Sequence, residues 1–143
     1  MLMASAISWF TAQVLKTAID AYFNKGIHWE RMTGSGGMPS SHSSTVVALT
    51  TAAGIQYGVG SAYFAICFIL SCVVMYDAMG VRRETGKQAV ILNKILVDNP
   101  FNWSGEEFEK KLKEYVGHTP LQVLAGAILG FLVACIMAPF YGL

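Results

Sequence analysis

The chain has 143 residues, of which 54% are hydrophobic and 13% charged, with a formal net charge of +1 and a mean hydropathy of +0.47. That balance is too apolar for an ordinary soluble domain and too neutral for a nucleic-acid surface, so one membrane domain over residues 1–143 is expected and no nucleic-acid partner. Cys67, Cys72 and Cys135 are odd in number, lie inside apolar runs and lack metal-ligand spacing, so they read as small packing residues.

Taken in chain order, the first apolar stretch covers residues 2–23. No basic residue precedes it, and it contains Lys16 and Asp20, so it reads as a retained helix and not a secretory leader. Lys16 and Asp20 stand one helical turn apart, with Gln13 on the same side. Charges at such depth are costly in lipid and mark a pair, a cavity or a substrate path. Two uses of Lys16 stay open: a structural pair with Asp20, or a reach toward phosphate.

A second stretch, residues 41–59, carries Ser43, Ser44, Thr45, Thr50, Thr51 and Gln56, which places it at the centre of a bundle with its hydroxyls bonded internally. A third follows at residues 61–79, and a fourth at 120–141. Each is long enough to cross a bilayer, which takes about 20 helical residues. Small residues spaced by four recur in the second (Ser44, Ala48, Ala52) and fourth (Gly126, Gly130, Ala134, Ala138), a pattern that lets helix backbones approach closely and that suits a homodimer sealing such faces. Residues 81–97 read as a further amphipathic helix, with Val90, Ile91, Ile95 and Leu96 at helical spacing. Ser104 and Glu107 then make a capping-box pattern for a short charged helix over 105–115, in a connector lying on the membrane surface. Trp29, Phe101 and Trp103 suit the interfacial belt. The expected architecture is an all-α, polytopic transmembrane bundle of about four crossings with an amphipathic cytoplasmic connector.

With four crossings, residues 24–40 and 81–119 share one face. All the lysines and arginines but Lys16 fall there (Lys25, Arg31, Arg82, Arg83, Lys87, Lys94, Lys110, Lys111 and Lys113), so the positive-inside rule makes that face cytoplasmic, most simply at the plasma (inner) membrane.

The same face gathers the residues that carry chemistry. Gly36-Gly37-Met38-Pro39-Ser40-Ser41-His42 and Gly117-His118-Thr119-Pro120 each put a histidine at the mouth of an apolar helix. A helix start offers unpaired N–H groups and the positive end of the macrodipole, and so attracts phosphate. Arg82 and Arg83 have planar forks suited to a phosphoryl group. Gly37 allows close backbone approach, Ser40 and Ser41 offer hydroxyls while also capping the helix, and the N–H groups around Ser40, Ser41 and Thr119 suit developing negative charge. Two histidines suffice for phosphoryl transfer, one attacking as neutral imidazole and one protonating the leaving alkoxide. No acidic cluster points to a catalytic metal, and no cofactor is implied. Each motif also has a structural reading: Ser-Ser-His as an N-cap, Thr119-Pro120 with Gln122 as a capping box, Arg82-Arg83 as a topology signal. Asp77 stands where it can orient a histidine or pair with an arginine, and His28 reads as an interfacial side chain.

Pro39-Ser40-Ser41-His42 resembles the Pro-Ser-Gly-His motif of the type 2 phosphatidic acid phosphatase and vanadium haloperoxidase superfamily, and Gly117-His118-Thr119-Pro120 with Val123 and Gly126 resembles its last motif. The whole chain, including Val74 to Arg83, is similar to a small divergent branch of uncharacterised bacterial and plant membrane proteins related to those phosphatases. The resemblance implies an integral membrane phosphohydrolase acting on a lipid phosphate or pyrophosphate. His118 is then the nucleophile that becomes a phosphohistidine, His42 the general acid, Ser40 and Ser41 phosphate ligands, and Arg82 or Arg83 the motif arginine. Three departures stand out. Arg82 lies 36 residues before His118 instead of a few; the family's first motif has no clean match, with Lys16, Lys25 and Arg31 as candidates; and Gln122 replaces the acidic residue after the nucleophile. An amide can orient the imidazole but lacks the charge that favours imidazolium. A non-catalytic lipid-phosphate binding or transport protein is the alternative, and a structural partner in a membrane complex a third reading.

Overall fold

The computed structural model describes residues 1–24, 37–98, 112 and 117–141, excluding the side chains of 24, 82, 96–98 and 141. Lys25, His28, Trp29, Arg31, the Arg82 side chain, Phe101, Trp103 and the expected short helix over 105–115 lie outside that description, except for Leu112. The described residues form five α-helices: α1 (Leu2–Asn24), α2 (Ser41–Tyr57), α3 (Ala62–Met79), α4 (Val81–Asp98) and α5 (Pro120–Met137), which ends in a 3-10 turn at Ala138–Tyr141.

Local chemistry sets the ends. Ser40 has extended backbone and its hydroxyl accepts from the Ser43 N–H, capping α2, while Ser61 caps α3 in the same way through Phe64. Gly58, at φ +83°, stops α2 by turning its N–H onto the Gly54 carbonyl. Gly80 closes α3 on Tyr76, and α4 begins at the next residue. At α5 the expected capping box is complete: Thr119 and Gln122 bond reciprocally, and Pro120 occupies the first helical position, where its missing N–H costs nothing.

α2 is the central helix, packed on α5, α3 and α1. Its contacts are made by small and hydroxylated residues. A Cβ on Gly126 would run into the Ser40 carbonyl oxygen and one on Gly130 into that of Ser44, so the backbones of α2 and α5 touch. The small-residue stripes are therefore taken up within one chain. The faces that the sequence suggested for a homodimer are thus occupied by α2 and α5 of the same chain. Ser8 of α1 donates to the Ser44 carbonyl at 3.1 Å, and Thr50 of α2 bonds Ser71 of α3 at 2.7 Å, so the interior hydroxyls are satisfied across helices.

Burial is inverted relative to a soluble protein. The largest fully buried side chains are Ser8, Ser40, Ser43 and Ser44, whereas Phe10, Ile66, Ile69, Leu124, Phe131 and Ile136 are exposed. Water would penalise that surface and hydrocarbon would not, so the bundle is built for a membrane. Among the described residues, two segments are long and apolar enough to cross by length and composition, Ala62–Ile95 and Pro120–Phe140. α1 carries Lys16 and Asp20, and α2 a row of hydroxyls, which lowers their hydropathy. On α4, Gly86, Ala89 and Asn93 are buried, while Val90, Ile91 and Ile95 face outward. Asn93 clamps the connector, its amide donating to the Leu112 carbonyl and accepting from the Leu112 N–H, both at 2.8 Å.

Candidate functional site

The starts of α2 and α5 are stitched together at one end of the bundle. Ser40 N–H donates to the Gln122 carbonyl at 3.0 Å, and His118 N–H donates to the Ala78 carbonyl, near the end of α3, at 2.9 Å. These two backbone bonds hold three helix ends in register and bring His118 and His42 together across 76 residues of sequence.

His118 is 2% exposed and His42 half-buried. Nε2 of His118 stands 3.4 Å from Nδ1 of His42, with the rings edge to face at a centroid separation of 5.6 Å. Nδ1 of His118 lies 3.3 Å from Gln122 Oε1. That oxygen also accepts from the Thr119 N–H at 3.0 Å, which fixes the amide with its oxygen toward the imidazole. With a neutral ring whose hydrogen sits on the nitrogen facing Gln122, Nε2 would present its lone pair to His42 Nδ1. Both ring contacts are at the long end of hydrogen bonding.

The pKa of His118 is lowered from 6.5. Burial is the largest cause, and His42 and Lys16 add electrostatic repulsion of the charged ring; hydrogen bonds with Gln122 and the Gly37 backbone oppose the shift. The shift favours the neutral ring, the form that can attack phosphorus.

Lys16, 3% exposed, reaches the site from α1. Its stem lies where a side chain on residue 37 would go: a Cβ there would stand 3.0 Å from Lys16 Cδ, and Gly37 has φ +86°. Only glycine fits that position without strain.

Not every expected phosphate ligand has the role foreseen for it. The Ser40 hydroxyl is occupied by its cap, accepting from Ser43 N–H at 3.4 Å and Ser43 Oγ at 3.1 Å, and the Ser40 N–H is held by Gln122. The Thr119 N–H is likewise taken by the capping box. The first turn of α2, where the amides of Ser41 and His42 precede the first helical bond, Ser44 to Ser40, carries Ser41 and faces the level of Lys16. Arg83 is exposed on α4, and the side chain of Arg82 lies outside the described residues. Asp77 is half-buried beside Ala78. The Ala78 carbonyl was missed by sequence reasoning, because a backbone acceptor has no residue signature.

Comparison with known proteins agrees with this architecture. The family model described as "Divergent PAP2 family" matches residues 1–133. The chain is 38% identical over 149 aligned positions to the uncharacterized membrane protein YuiD of Bacillus subtilis (strain 168), covering 98% of this chain and 94% of that one. No solved structure matches. With a matching model over most of its length and this relative along nearly all of it, the chain belongs to the divergent PAP2 family of membrane proteins.

Proposed function

We propose that the protein is an integral membrane phosphohydrolase that removes phosphate from a lipid phosphate or pyrophosphate through a phosphohistidine on His118. The observation that carries this is the histidine pair: a buried His118 whose Nδ1 lies beside Gln122 Oε1 and whose Nε2 stands 3.4 Å from Nδ1 of His42. In the first step Nε2 attacks phosphorus, the ester P–O bond breaks, and His42 gives its proton to the departing oxygen. In the second, His42 takes a proton from water, the new hydroxide oxygen bonds phosphorus, and the N–P bond breaks to release inorganic phosphate. Reaction requires phosphorus within about 3–3.5 Å of Nε2, so the His42 ring turns aside from its 3.4 Å contact to meet the leaving oxygen. Lys16, Ser41 and the first-turn amides of α2 hold the equatorial oxygens, with Arg82 or Arg83 closing from α4.

A site at the end of a membrane bundle meets a headgroup while the acyl or prenyl tails stay in the bilayer. The excess of lysine and arginine in the sequence segments 24–40 and 81–119 favours the cytoplasmic face of the plasma membrane. The test is phosphate release by the purified protein in detergent from a panel of lipid phosphates. Turnover inhibited by vanadate, a phosphoryl transition-state mimic, supports the enzyme. One observation favours a second reading, a lipid-phosphate binding or transport protein: Gln122 is neutral and stabilises imidazolium less than a carboxylate does. Tight vanadate binding with no turnover would favour it.

A further inference from the structure

α1 contacts the rest of the bundle at two levels that frame one buried acceptor. Ser8 bonds the Ser44 carbonyl, and two turns later Lys16 packs on Gly37, so α1 runs antiparallel to α2 with Gln13 lying between these contacts, near the level of Ser40 and Ser41. Gln13 is 5% exposed, and among the described residues its Oε1 has no hydrogen-bond donor. A buried acceptor left without a donor is costly, which marks this one as awaiting a group.

One turn along α1 stands the Lys16 cation, and the start of α2 at the level of Gln13 carries Ser41 and His42, which can donate. A phosphate dianion brings only acceptors and would set an oxygen against Gln13 Oε1. A singly protonated phosphoryl group brings one O–H, which is what an unmatched acceptor amid donors requires.

We propose that Gln13 Oε1 accepts the P–OH hydrogen of a singly protonated phosphate monoester or terminal phosphate, making Gln13 a specificity residue of the site. The inference rests on the phosphoryl site proposed above. It sets the ligand class: phosphodiesters and sulfate esters carry the same single negative charge but no such hydrogen, and leave the buried oxygen unmatched.

Butyl phosphate and butyl sulfate test this directly. At about pH 5.5, below the second ionisation of a phosphomonoester near 6, both are monoanions of similar shape that differ in one O–H. Calorimetric titration of the full-length protein in detergent should show butyl phosphate binding at least about tenfold tighter. Gln13→Met, which replaces an orphaned acceptor by an apolar side chain of similar shape, should fold and bring the two ligands within roughly threefold by weakening phosphate; Gln13→Leu should do the same. Equal binding by the wild type overturns the inference and leaves the anion site standing, as it would if water satisfied Gln13. An undiminished preference in folded Gln13→Met also overturns it. Wild-type protein that binds neither ligand overturns the phosphoryl site itself and this inference with it.

Discussion

The side-chain oxygen of Gln122 stands 3.3 Å from Nδ1 of His118 while accepting the Thr119 N–H at 3.0 Å, so one amide both starts a helix and sets the tautomer of the candidate nucleophile. Gln122→Glu keeps both contacts and adds the charge that favours imidazolium. Glutamate also suits the third position of a capping box, near the positive end of the macrodipole, by about 0.3–1 kcal/mol. Phosphate release should rise in this variant, and the gain should vanish in Gln122→Glu/His118→Ala. A higher melting temperature with unchanged turnover would reduce Gln122 to a cap.

The histidines themselves carry the largest expected loss. His118→Ala and His42→Ala should each lower turnover at least ~100-fold while vanadate binding persists in the His42 variant. A wild-type rate in either variant removes that residue from the chemistry.

The direction of the His118 shift gives a pH dependence. Its folded pKa lies below 6.5, so between that lowered value and 6.5 the unfolded chain binds more protons than the folded one. The neutral-ring contribution to stability is present above pH 6.5 and is lost as pH falls through the folded pKa. The acid limb of kcat/KM should accordingly lie below 6.5 and move upward in Gln122→Glu. An acid limb above 6.5 in the wild type contradicts the burial argument.

Two glycines bear on the architecture. Gly126→Ala meets the Ser40 carbonyl and should cost about 1–3 kcal/mol, with activity falling too because Ser40 begins the helix that carries His42. Gly37→Ala places a Cβ against Lys16 at a positive φ, a strain of about 1–3 kcal/mol, and should weaken vanadate binding more than it lowers the melting temperature. Thermal unfolding of both variants in detergent, with vanadate titration alongside, checks this.

Orientation is testable at exposed positions. In a background lacking Cys67, Cys72 and Cys135, single cysteines at Gly60 and Thr85 should label from opposite sides of the membrane, Thr85 from the cytoplasm. Labelling of both from the outside would overturn the proposed topology.

The local features of the helix starts are legible in the sequence. Ser40 and Thr119 announce helix starts because their hydroxyls cap, Pro120 and Gln122 complete a local pattern, and the spacing of Gly126 and Gly130 foretells a close helix contact. These signals are short-range or periodic. What escaped depends on partners without side-chain signatures: the Ala78 carbonyl that holds His118, and the capture of the Ser40 and Thr119 amides that otherwise looked open to phosphate. The burial of Gln13 without a donor follows from how three helices pack, and its position beside Lys16 on α1 only hinted at it. On α4, Val90 and Ile91 turn outward because Gly86, Ala89 and Asn93 supply the narrower face that packs.

The central claim is that His118 accepts a phosphoryl group, and trapping it is the most direct measurement. Protein incubated with a lipid phosphate labelled in its phosphoryl group and quenched in alkali, where phosphohistidine survives, should carry acid-labile label on His118 that is absent from His118→Ala. Phosphate release without that label, or label undiminished in His118→Ala, would contradict the account.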